Sequence, residues 1–149
     1  MQIRAPLARP PKIICIGQNY LAHAQESNAG APPYPIIFAK FANSVIGPGE
    51  TIVVPRAITQ PDYEGELAVV IGRRGRDIPE ESALDYVAGY MPLHDVSARD
   101  WQMRTSQWVI GKTPDTFCPM GPAIVTADEV PDVQNLALRT IIGGEVLQE

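Results

Sequence analysis

The stretch Glu64-Gly65-Glu66-Leu67-Ala68-Val69-Val70-Ile71 constrains this chain more than any other. From Leu67 onward every position is apolar, so the segment suits a strand buried on both faces. Side chains two apart on a strand share a face, which sets Glu64 and Glu66 side by side at the mouth of that run. Adjacent carboxylates repel each other, and burying them uncompensated is costly. One reading is an edge strand that turns its acids to water. The other is a divalent cation held by oxygen ligands, with Asp95 supplying a third carboxylate. The apolar run behind the acids favours a cleft and a metal site.

At 149 residues, with 45% hydrophobic and 19% charged side chains, the chain has enough apolar material for one domain with a real core. Fifteen prolines and twelve glycines point to a turn-rich, strand-rich architecture rather than a helical bundle. A formal charge of −5 with no basic stripe argues against nucleic acid as partner. Arg73, Arg74 and Arg76 read as a solvated loop. No apolar run reaches transmembrane length, and the first eleven residues lack a secretory apolar stretch, so no membrane association is expected. Cys15 and Cys118 match no metal spacing and are expected to be reduced thiols in a cytoplasmic protein.

Strands are expected at 12–16, 36–40, 51–54, 63–71, 88–95 and 123–126, with a hairpin of 136–142 and a return from Glu145 about the turn Gly143-Gly144. Helices are expected at 20–27, capped by Asn19, and at 79–87, with a helical turn over 97–103. Residues 1–11 read as a linker. The terminal hairpin leaves an open edge, so the chain is expected to be part of a longer protein.

His23 and Glu26, three apart on the first helix, share a face. They read either as an incidental surface pair or as an imidazole oriented by a carboxylate, the makings of a general base. Trp101 and Trp108 read as packing residues. Gly111-Lys112-Thr113 resembles the end of a phosphate-binding loop, but Ser106 stands where the first glycine is required, so the nucleotide reading fails. A lysine beside a glycine turn can still neutralise a ligand carboxylate or enolate.

Taken together, Gly17-x-Asn19-Tyr20-x-x-His23-x-x-Glu26, Asp62-Tyr63-Glu64-x-Glu66-Leu67, Asp95-Val96-Ser97-Ala98-Arg99-Asp100-x-Gln102, Gly111-Lys112, Asp115-Thr116-Phe117 and Gly121-Pro122 resemble the fumarylacetoacetate hydrolase superfamily. The resemblance runs from about Lys12 to the end of the sequence, in the family's order. It implies an α+β fold built around a β-rich mixed β-roll, with 12–149 as the N-terminal part of the catalytic domain. A homodimer is also implied. So are Mg²⁺ or Mn²⁺ (Ca²⁺ in some members) on Glu64, Glu66 and Asp95. His23 and Glu26 correspond to the water-activating pair, Lys112 to a catalytic and substrate-contacting lysine, and Gln102 and Arg99 to substrate-binding positions.

The chemistry implied is hydrolysis or lysis of a C–C bond in a small 2-oxo or 1,3-diketo acid, acylpyruvate-like, through a metal-stabilised enolate. Decarboxylation and isomerisation would use the same enolate. The family's later Thr-Gly-Thr-Pro-x-Gly segment does not occur before Glu149, so an incomplete roll is expected. A non-catalytic half-domain with a vestigial metal site is the alternative.

Overall fold

The structure is a computed structural model that describes residues 2–20 and 32–149. The expected helix over 20–27, with His23 and Glu26, lies outside the described residues beyond Tyr20. Strand β1 (Ile13–Gly17) pairs antiparallel with β2 (Ile36–Lys40), placing Cys15 opposite Phe38. Their β-branched residues suit the pleat, and alternation leaves Ile14, Ile16 and Ile37 exposed while Lys40 turns inward. Trp108 packs edge-on to Phe38, with ring centroids 5.4 Å apart. A Cβ at Gly17 would come within 2.7 Å of the Trp108 ring, so the absence of a side chain there lets the indole approach β1.

Next come β3 (Val45–Ile46) and β4 (Pro61–Asp62). The acid-led run forms β5 (Gly65–Ile71), antiparallel to β6 (Val87–His94). Strand β7 (Ser97–Ala98) pairs with β4, and β8 (Cys118–Pro119) runs parallel to β3. Strand β9 (Val125–Thr126) covers the other edge of β6. The chain closes with the hairpin β10 (Thr140–Ile142) and β11 (Glu145–Gln148), joined by Gly143 and Gly144 at φ +62° and +86°. Two glycines at positive φ suit a tight hairpin turn. Among the described residues two short helices, α1 (Arg99–Gln102) and α2 (Val109–Lys112), complete a strand-rich α+β architecture, as expected.

Three expected elements differ. Residues 51–54 form no strand, and the Val53 N–H goes to Thr116 Oγ1 at 2.8 Å instead of to a ladder partner. In place of a helix over 79–87 there are tight 3₁₀ turns from Glu80 to Tyr86, with no side-chain hydrogen bond capping their start. Within 97–103 the first two residues pair as β7, leaving helix only to Arg99–Gln102.

Among the described residues burial is split between two small cores. Ile58, Val96, Ala98 and Phe117 form one, and Met91, Cys118 and Met120 the other. Phe117 is fully buried, which contributes roughly 1.5–3 kcal/mol relative to exposure. Adjacent residues, Phe117 and Cys118, belong to different cores. Residues from Asp95 to Ala98 run along the seam, and it is here that the charged side chains gather.

Candidate active site

Strand β5 begins two residues later than expected, at Gly65, so Glu64 lies just outside the ladder. The Asp95 N–H bonds the Glu64 carbonyl at 2.9 Å, clamping together the ends of β5 and β6. This local closure brings the Glu64 and Asp95 carboxylates to one place although 31 residues separate them in sequence (95 − 64).

Lys112 arrives from the opposite side, at the end of α2. A Cβ at Gly111 would lie 2.5 Å from the Gln102 nitrogen and 2.7 Å from the Ala98 carbonyl oxygen, so glycine lets α2 nest on α1. That contact drives Lys112 inside, where only 2% of the residue is exposed. Its ammonium donates to Glu64 Oε2 at 2.6 Å and Asp95 Oδ2 at 2.9 Å. The same Nζ stands 5.1 Å from the centre of the Phe38 ring, within cation–π range.

A second buried ammonium, that of Lys40, donates to Asp95 Oδ1 at 2.6 Å, to the Val96 carbonyl at 3.2 Å and to the Lys112 carbonyl. Burial alone would raise the Asp95 carboxyl. Lys40 and Lys112 together outweigh it and hold the group below the usual carboxylate range.

Arg99 is spoken for by protein acceptors on all three nitrogens. Nε donates to Asp62 Oδ2 at 2.8 Å, Nη1 to Gln102 Oε1 at 2.9 Å, and Nη2 pairs with Glu64 Oε1 at 2.6 Å. The guanidinium fork therefore holds Glu64 and Gln102 in fixed relation to Asp62. Gln102 is 5% exposed and sits beside the cluster.

Glu66 behaves differently. Among the described residues no cation pairs with it, and burial, with added repulsion from Glu64 and Asp95, pushes its carboxyl up to about 7. Tyr20, whose hydroxyl accepts the Leu67 N–H at 3.2 Å, is its hydrogen-bonding neighbour. Glu66 lines an open cleft of about 300 Å³ with Leu93, Met120, Leu138 and Arg139. His94 pairs with Gly65 in the ladder, while Glu66 pairs with Leu93, so the imidazole projects from the opposite face.

The acidic trio is thus only partly gathered. Among the described residues no three His, Cys, Asp or Glu side chains form a group able to hold a metal ion. The Lys112 ammonium stands between Glu64 and Asp95. The donor chemistry nevertheless suits a hard divalent cation: all three groups are carboxylates, and burial and the neighbouring acids disfavour the charged form of Glu66, which a bound cation would restore.

Lys40 belongs to none of the motifs that single out the other residues. Its signal lay in strand alternation, which puts it on the inward face with Phe38, at the end of an otherwise apolar segment. Asp62 was visible in a motif, and its role as the Arg99 anchor emerges only from the β4–β7 pairing.

The family described as Fumarylacetoacetate (FAA) hydrolase C-terminal matches residues 12–149. An oxaloacetate tautomerase (fahd2, mitochondrial) of Xenopus laevis is 51% identical over 150 residues, covering 99% of this chain and 47% of the relative. The chain spans about half the length of the curated relatives it matches. A solved 5-carboxymethyl-2-hydroxymuconate delta-isomerase from Mycobacterium smegmatis superposes with a TM-score of 0.81 at 41% identity, over 97% of this chain and 54% of that one. A fumarylacetoacetate hydrolase from Exiguobacterium antarcticum gives 0.83 at 40% identity, over 97% and 52%.

Proposed function

The chain belongs to the fumarylacetoacetate hydrolase family, and from that premise we propose that it acts on a small 2-oxo acid through its enol or enolate. The observation that carries the reading is the Lys112 ammonium, buried and held at 2.6 Å from Glu64 and 2.9 Å from Asp95, with its charge felt at Glu66. A fixed cation in a water-poor site stabilises negative charge as it develops on a keto oxygen. Keto–enol exchange takes a proton from the carbon next to the keto group and returns one to the oxygen. The tautomerase and isomerase names of the relatives favour this step. Cleavage of a C–C bond in an acylpyruvate is the further outcome when the same enolate is the leaving group.

Family members generally use divalent metals. Glu64, Glu66 and Asp95 would hold the ion, Mg²⁺ or Mn²⁺, which when bound supplies Lewis acidity toward the substrate's oxygens. Arg99 keeps Glu64 and Gln102 in place from behind. His23 and Glu26, which lie outside the described residues, are the proposed pair for moving the proton.

The test follows the enol absorbance of oxaloacetate with the protein and Mg²⁺ or Mn²⁺, in parallel with acylpyruvate hydrolysis. Decay of the enol should accelerate, the acceleration should vanish after EDTA treatment, and it should fall at least ~100-fold in Lys112→Met, the scale of losing one positioned charge stabiliser. Neither reaction accelerating over the metal-only control would overturn the proposal.

A further inference from the structure

Lys40 ends β2 with its side chain inside the protein, and only 2% of the residue is exposed. An ammonium has three protons to donate, and here three acceptors take them: Asp95 Oδ1, the Val96 carbonyl and the Lys112 carbonyl. The arrangement does more than neutralise Asp95. One acceptor is the side chain of the acid, one is backbone beside that acid, and one is the backbone of the other buried lysine. A single nitrogen thus joins three segments: the end of β2, the turn after β6 and the end of α2. Its acceptors are all protein groups, so Lys40 acts on a ligand only through the residues it holds.

We propose that Lys40 is a positioning residue that fixes the Lys112 ammonium and the Asp95 carboxylate relative to each other. By occupying Oδ1 it leaves Oδ2 to face Lys112. By holding the Lys112 carbonyl it sets where that side chain begins. The ammonium of Lys112 is then delivered to Glu64 and Asp95 in one orientation, without searching for it. What the fixed pair is for rests on the functional reading above, whereas the fixing itself does not.

The experiment is nitrogen-15 NMR of the lysine ammonium groups in the full 149-residue chain, with Lys112→Met to assign the Lys112 signal. Both buried ammoniums should exchange protons slowly with water. In Lys40→Met, with its fold checked by circular dichroism, the Lys112 signal should shift and exchange at least ~10-fold faster, because local opening governs its protection. A Lys112 signal that keeps its wild-type position and exchange overturns the proposal. So does a wild-type Lys40 ammonium that exchanges as freely as surface lysines. Where Lys40→Met does not fold, Lys40→Gln carries the same measurement under the same criteria. Enol turnover adds a separate readout, with kcat expected to fall in the variant while KM stays near wild type. A changed Lys112 signal alongside no turnover in the wild type would sink the functional reading and leave the positioning role standing.

Discussion

Asp95→Asn is the sharpest perturbation of the buried cluster. The side chain keeps its shape but loses its charge, and one of its two oxygens becomes an NH₂ group. In the wild type Oδ1 and Oδ2 accept from Lys40 and Lys112, whose side chains are 0% and 2% exposed. The amide therefore turns a donor toward one of two buried ammoniums, and Lys40 keeps only carbonyl acceptors. Removing one partner of a buried pair costs ~3–5 kcal/mol, since the other charge is left uncompensated in a dry site. For a chain of this size each kcal/mol moves Tm by ~2–4 °C, so Tm should fall by ~6–20 °C.

The exposed Arg4–Glu50 pair, with Arg4 73% exposed, provides the control, and Arg4→Ala should cost no more than ~1 kcal/mol. Urea unfolding at pH 7, read by tryptophan fluorescence, measures both. At that pH the Asp95 contribution is fully present. Its folded carboxyl lies below the ordinary range, so the stabilisation disappears only in acid, as pH falls through the folded value. An Asp95→Asn variant within ~1 kcal/mol of wild type would refute the claim that these lysines depend on this carboxylate.

Two other outcomes are expected. Gly111→Ala would put a methyl against the backbone of α1, forcing the helices apart, and should destabilise by ~1–3 kcal/mol in thermal unfolding while weakening the Lys112 contacts. Burial, reinforced by Asp95, pushes the Cys15 thiol from 9.0 up to about 12. Because the folded protein retains that proton, Cys15 lowers stability progressively as pH rises from about 9 to about 12. At pH 8 it should react with a thiol reagent on the order of 10³-fold more slowly than in the unfolded chain, from the thiolate fractions alone, and equal rates would contradict its burial.

Local pattern made much of this architecture legible. Ile36–Lys40 shows its strand through apolar and β-branched residues, and the Gly143-Gly144 pair announces the hairpin turn. The carboxylates were legible too, since an acid opening an apolar run is unusual enough to require an explanation. Their present partners were not. A lysine ending a strand ordinarily reaches water, and only the arrival of Asp95 and Lys112 from distant segments makes the interior acceptable to Lys40. Arg99 shows the same limit. A motif can mark it as a site residue, but whether its fork faces ligand or protein depends on Asp62, Glu64 and Gln102 being in place. The strand expected at 51–54 failed for a related reason, because a threonine hydroxyl 63 residues away takes the Val53 N–H.

The reach of Lys40 also sets a schedule. Its acceptors lie 55 and 72 residues farther along the chain. At a synthesis rate of about 5–20 residues per second, the more distant one emerges roughly 4–14 s after the lysine itself. During that interval the ammonium has nowhere dry to go and stays hydrated, which holds the inner face of β2 open. Closing so long a loop is entropically slow, so the charged seam is expected to form late, as the last region to shed its water rather than a nucleus for the rest.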